Sequence, residues 1–225
     1  GPWAGSLLGI LGADVVKLES PQGDFIRAVM PEKRGLSTTY ISSNFNKRGI
    51  TLDLKDAEAR RRAHAFAAQA DFFIENFRPG VADRIGVGYA ELSRINPRII
   101  YASASGFGSV GPLAGAGGTD PHLQAFSGSC AVNGLPGGLR QRMRWYGHYD
   151  VNTSMAIVYG LLAGLLDRHH TGKGCFINVT MFEAAMTLQR VRLAEYLGGG
   201  RPEPRSEEHT SELQSLAYLV CRLLL

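Results

Sequence analysis

The sequence predicts an α/β fold: a Rossmann-like, mainly parallel sheet flanked by helices. Three observations predict it. Short strand-like runs alternate with helical stretches along the chain, a glycine-rich loop follows one of those strands, and 225 residues that are 44% hydrophobic suffice for one globular core. That balance excludes a disordered tail or a collagen-like chain.

Taken in order, residues 3–12 (WAGSLLGILG) carry apolar positions at helical spacing, and 13–19 (ADVVKLE) read as a short buried strand. A stretch rich in Gly, Pro and charge, 20–39, leads to a second strand at 49–54. Asp56 caps an Ala/Arg-rich helix over 57–70. A third strand covers 71–76, a helical turn opens at 79–81, and a short helix covers 89–94. The fourth strand is 98–104, followed by a glycine-rich loop over 106–120 and a helix over 121–129. After a loop at 131–149, the longest helix runs 151–169 and ends in the turn 171–174 (TGKG). A last strand, 176–180, and a last helix, 182–197, complete the series. Ligands of open α/β sheets sit beyond the carboxyl ends of the strands, which directs attention to Ser20, Asn76, Ser105 and the loops after them.

Several functions lose their markers. The net charge of +4 is spread in short pairs such as Lys47-Arg48, giving nucleic-acid binding no support. Apolar runs such as 157–166 fall short of a bilayer span, so no membrane segment is expected. Three widely spaced cysteines, 130, 175 and 221, fit a reducing compartment, and the expected location is cytoplasmic. His169 and His170 are adjacent and no C-x-x-C or H-x-x-x-H occurs, so no metal is expected. Gly106-Phe107-Gly108-Ser109-Val110-Gly111 satisfies G-x-G-x-x-G after a strand, but Pro112 follows at once and Asp120 comes too early for a ribose carboxylate. NAD is therefore not expected, and the loop offers its N–H groups to some other ligand. The serine elbow G-x-S-x-G is missing.

Asp150 is the carboxylate of interest, standing between the loop at 145–149 and the long helix. Taken alone it reads as the helix N-cap, and the positive end of the dipole would lower its pKa and keep it ionised as a nucleophile toward a thioester. The run 76–80 (NFRPG) joins an amide, an aromatic face, a guanidinium and a Pro-Gly turn, which reads either as a nucleotide-holding cluster or as an ordinary turn. Lys55 and 46–48 (NKR) add positive charge.

Together these residues resemble the family III CoA-transferases, the formyl-CoA transferase and carnitine CoA-transferase family. The matching segments are LGADVVKLE at 11–19, Gly23, Asp24 and Arg27 of a G-D-x-x-R pattern, NKRGITLDLK at 46–55 and ENFRPG at 75–80. NPRIIY at 96–101, SGFG at 105–108, Gln124 to Gly128 as Q-A-x-S-G, and TGKG at 171–174 continue the series. The resemblance implies an enzyme that moves CoA from an acyl-CoA thioester to a carboxylic acid acceptor. It puts the catalytic aspartate, carrier of an aspartyl anhydride and an aspartyl-CoA thioester, at Asp150. It also implies CoA contacts at Leu52, Lys55, Asn76, Phe77, Arg84, Gly106 and Met181. Ser20 and Ser105 stand where some members carry basic residues. CoA or acyl-CoA enters as substrate, and an interlocked homodimer is implied for the full-length protein.

Two alternatives stay open. The family contains 2-methylacyl-CoA racemases, which read G-H-D where this chain reads Gly118-Thr119-Asp120, with His122 three residues beyond Thr119. A non-catalytic acyl-CoA-binding module is the other. Residues 1–204 are expected to be a fragment from the front part of the large domain of a longer enzyme, truncated at both ends and inactive by itself. Residues 205–225 (RSEEHTSELQSLAYLVCRLLL) resemble the in-frame translation of a sequencing-library adapter and are expected to be non-native.

Overall fold

A computed structural model describes residues 1–29, 31–33, 35–133, 139, 141 and 147–200. The tail 205–225 and Trp145 and Tyr146 of the loop before Asp150 lie outside the described residues.

Helix α1 (Pro2–Ile10) starts on a proline, whose missing N–H costs nothing in a first turn, and leads into β1 (Val15–Glu19). The link to β4 is more structured than its composition suggests. It holds a 3-10 turn (Phe25–Ala28), an antiparallel pair β2 (Glu32–Lys33) and β3 (Leu36–Ser37), and helix α2 (Thr38–Asn44). β4 (Lys47–Thr51) then pairs in parallel with β1, Val15 opposite Lys47 and Glu19 opposite Thr51. Helix α3 (Ala57–Ala67) is capped by the carboxylate of Asp56, which accepts the N–H of Ala59 at 2.8 Å.

A second parallel sheet contains β5 (Phe72–Glu75), β6 (Ile100–Ser105) and β7 (Phe176–Thr180), with β6 in the middle. Helices α4 (Val81–Arg84) and α5 (Tyr89–Ile95) connect β5 to β6. Between β6 and β7 lie α6 (Asp120–Phe126), α7 (Ser129–Val132) and the long α8 (His148–Thr171). Helices α9 (Met181–Leu188) and α10 (Arg190–Leu197) follow β7. The fold class is the expected one, although the parallel strands form two hydrogen-bonded sheets.

Strand β6 organises the core because its side chains alternate between faces. Ile100, Ala102 and Ala104 meet Ala4 and Leu8 of α1 and Ile157, Val158 and Leu161 of α8. Ile99 and Tyr101 meet Ala59, Ala63 and Ala67 of α3 and Leu92 of α5. Helix α8 approaches the sheet through glycine: a Cβ at Gly164 would lie 2.9 Å from both Cys175 Sγ and Ile100 Cγ2. Its far end is tied down by the buried Arg168, which donates to Asp71 at 2.6 Å and to the Arg98 carbonyl at 3.0 Å.

By length and composition α8 is apolar enough to cross a membrane, contrary to the sequence expectation, and here its inner face is a core element against β6 and β7. Its outer face leaves Val151, Met155, Tyr159, Leu162 and Leu166 exposed. At the end of β1, Glu19 gathers Arg27, Tyr40 and Lys17, and its pKa is held down at about 2, chiefly by the Arg27 hydrogen bonds.

Two outcomes are expected. Gly164→Leu should lower unfolding stability by about 1–3 kcal/mol in urea titration, since the added side chain overpacks the α8–sheet contact. Glu19 has a depressed folded pKa, so its stabilisation is present above the ordinary value of 4.5 and lost as pH falls toward about 2. Glu19→Gln should therefore be less stable at neutral pH and show a flatter acid limb in pH-dependent melting.

Candidate active site

The carboxyl ends of β5, β6 and β7 present Glu75 and Asn76, Ser105 and Gly106, and Thr180 and Met181. The loop after β6 runs to residue 119 without opening a helix, so the glycine pattern is not a dinucleotide fingerprint here. Several bonds shape that loop. Ser105 Oγ accepts the N–H of Gly108 at 3.0 Å, and the Gly106 carbonyl accepts the N–H of Phe182 at the head of α9 at 3.0 Å. Gly106 backs directly onto Gly118: a Cβ on Gly106 would lie 2.7 Å from the Gly118 backbone. Gly117 lies against the Arg78 guanidinium, which brings the turn after β5 to the same loop.

Asp150 does not cap α8. The helix begins two residues earlier, with Gly147 at the N-cap, so Asp150 occupies the first turn and folds its carboxylate back over Gly147. The capping acceptor comes from another element. The buried Asp120, at the head of α6, accepts the backbone N–H groups of Tyr149 at 2.7 Å and Asp150 at 3.3 Å, and the side-chain amide of Gln124. This arrangement reverses the expected pKa. Asp150 is raised above the usual carboxylate range, first by burial of its surroundings and then by the negative charge of Asp120. The free N–H groups that would have lowered it already face Asp120, while Asp150 itself stays accessible to solvent. A desolvated carboxylate is a stronger nucleophile once ionised than a fully hydrated one.

The other expected site residues fall into two groups. Asn76 packs its amide against Gly1 at the head of α1, and Gly1 in turn lies within electrostatic reach of Asp150. Met181 shares a small apolar cluster with Tyr149, the neighbour of Asp150. Asp150, Asn76, Gly106 and Met181 thus line the same end of the sheet. Phe77 stands partly exposed beside Asn76. Leu52 is buried in the core under α3, and its N–H continues the β1–β4 ladder to the Glu19 carbonyl, so its side chain is not presented to a ligand. Lys55 and Arg84 are exposed and form no ion pair among the described residues.

In the sequence Asp120 stands out only as an acid too early for a ribose and as the end of the Gly118-Thr119-Asp120 segment, and Glu75 carries no role of its own. An acid beside Pro121 with Gln124 one turn later was the available signal for a buried helix-head residue. His122 points elsewhere: its Nδ1 pairs with Thr119 Oγ1 at 2.7 Å and the residue is exposed. Among the described residues no group of three His, Cys, Asp or Glu converges as a metal site.

The profile of CoA-transferase family III matches residues 1–222. An acetyl-CoA:oxalate CoA-transferase of Acetobacter aceti is 37% identical over 206 residues, 91% of this chain and 53% of that protein. A succinyl-CoA:glutarate CoA-transferase of Mus musculus is 35% identical over 207 residues, 91% of this chain and 47% of that protein. The crystal structure of a CAIB/BAIF family protein from Brucella suis superposes with a TM-score of 0.86 at 34% identity, covering 91% of this chain and 55% of that one. The chain therefore spans about half the length of the relatives it matches.

The Asp120–Asp150 pair makes two predictions. In Asp120→Asn the Asp150 carboxyl, followed by carbon-detected NMR titration, should protonate at lower pH, because the repelling charge is gone while burial remains. A raised folded pKa means stability that is present below the ordinary 3.8 and lost as pH rises through the folded value. Asp150→Asn should accordingly be more stable than the parent at neutral pH, and the difference should close on acidification in urea titrations.

Proposed function

The chain belongs to CoA-transferase family III, and on that premise we propose that the protein moves CoA from an acyl-CoA thioester to a carboxylic acid with Asp150 as covalent carrier. The observation that carries this reading is the carboxylate of Asp150, accessible at the head of α8, partly desolvated, and backed by Asp120. One oxygen of Asp150 attacks the donor thioester carbonyl, the C–S bond breaks, and CoA thiolate leaves a mixed anhydride. The thiolate then attacks the aspartyl carbonyl and expels the donor acid, leaving an aspartyl-CoA thioester. An acceptor carboxylate attacks that thioester to give a second anhydride, and the returning thiolate takes its acyl group and frees Asp150.

No net proton is gained or lost in this sequence. In this reading developing oxyanions are met by N–H groups at the start of the loop after β6 other than that of Gly108, which donates to Ser105 Oγ. Adenine lies near Phe77 and the phosphates near Lys55 and Arg84, with Asn76, Gly106 and Met181 along the pantetheine. Leu52 can contribute only main-chain atoms at its corner of β4 and α3. The names of the relatives, with oxalate and glutarate as acceptors, make dicarboxylic acids the first acceptors to try. The exposed apolar face of α8 supports assembly with further protein surface, in the form of an interlocked homodimer. The racemase reading is disfavoured because Thr119 fills the histidine position and His122 is engaged by Thr119.

The test is chemical capture. With an acyl-CoA donor and the full-length protein, hydroxylamine or borohydride should mark Asp150, and Asp150→Ala should abolish both the mark and transfer, by about 10³-fold or more. Absence of a mark with every donor would leave only a CoA-binding module. Rapid exchange of the α-proton of a 2-methylacyl-CoA in deuterated water without any acceptor acid would favour racemisation instead.

A further inference from the structure

Glu75 is a buried acid at the strand ends that the transfer steps leave without a role. It is only 7% exposed and ends β5, opposite Ser103 of β6 in the ladder. One of its oxygens accepts the backbone N–H of Phe77 at 2.8 Å, and Ser103 stands beside it on the neighbouring strand. Tyr101 of β6 and Asp83 of α4 are titratable side chains near it. Burial raises its pKa, and the Ser103 hydroxyl and the Phe77 N–H act in the opposite sense by favouring the charged form.

The carboxylate therefore stitches the turn after β5 to the sheet. Beyond Phe77 the chain reverses through Pro79 and Gly80, whose φ of +81° is the left-handed conformation a glycine tolerates. Phe77 is thus held by its backbone N–H while the residue is 42% exposed. A main chain fixed in this way presents the ring from a pre-organised turn as a flat face for a heteroaromatic base, and pre-organisation improves affinity by removing the cost of ordering on binding.

We infer that Glu75 is a positioning residue for the nucleotide half of CoA: it fixes the Asn76–Phe77 turn so that the ring is ready to stack on adenine. This rests on the CoA reading above. Calorimetric titration with CoA, with 3′-phosphoadenosine 5′-diphosphate and with pantetheine tests it in the parent protein, Glu75→Ala and Glu75→Gln. In Glu75→Ala the nucleotide half should bind about tenfold more weakly and pantetheine unchanged, whereas Glu75→Gln, which keeps an acceptor for Phe77, should stay within about threefold of the parent.

The inference is overturned if Glu75→Ala binds the nucleotide half as the parent does, if both halves weaken equally, or if Glu75→Gln is as weak as Glu75→Ala. Should Glu75→Ala not fold, Glu75→Met, which keeps the length of the side chain and offers Phe77 no oxygen acceptor, takes its place in the same comparison. A parent protein that binds neither CoA nor its nucleotide half sinks the CoA reading itself. A parent that binds both, with unchanged variants, sinks only the role of Glu75.

Discussion

The carboxylate of Asp120 holds the site together. Three donors converge on it: the amide of Gln124 within its own helix and the backbone N–H groups of Tyr149 and Asp150 at the head of α8. A buried carboxylate left without such donors would be strongly unfavourable, and helix-head N–H groups left without an acceptor would be nearly as unwelcome. Each requirement answers the other. The helix that carries the proposed acyl carrier is thereby fixed to α6, and α6 to the end of the loop that follows β6.

The same contact sets the electrostatics of Asp150. An isolated aspartate in a first turn would gain from the helix dipole, but the nearest N–H groups already face a formal negative charge. Burial and like-charge repulsion then act in the same sense, and the carboxylate is held in a less stable, more basic state than water would give it. The arrangement costs the fold stability at neutral pH. In the proposed transfer, that cost is the counterpart of a more basic nucleophile.

Much of the fold was legible because its signals are local. Asp56 ahead of an Ala-rich stretch, the β-branched run 176–180, and Gly172 after the long helix each carry their structural reason within a few residues. Helix α2 was not legible: TTYISSN has β-branched residues and no apolar period. It forms because Ser37 caps it and because Lys47 ties its end to α1, donating to the Ser43 and Pro2 carbonyls and to Asn44. The setting of Asp150 was not legible for the same kind of reason. The acceptor that displaces it as a cap lies 30 residues earlier in the chain, on a helix that only the tertiary structure brings to that spot. Leu52 shows the converse, since a matching motif does not reveal whether a side chain faces a ligand or the core.

The back-to-back packing of Gly106 and Gly118 has an evolutionary consequence. A side chain on either residue meets the backbone of the other, and the Gly118 position also meets Leu123. Backbone cannot swing aside as the end of a long side chain can, so neither replacement is opened up by changing its partner. Gly111 and Gly115 differ: their positive φ restricts them, yet nothing stands within 4 Å of an added Cβ. Drift at those two positions costs only dihedral strain and can be offset elsewhere. At 106 and 118 it has no compensating second step, so the loop between them can vary in sequence while its two ends stay locked in contact.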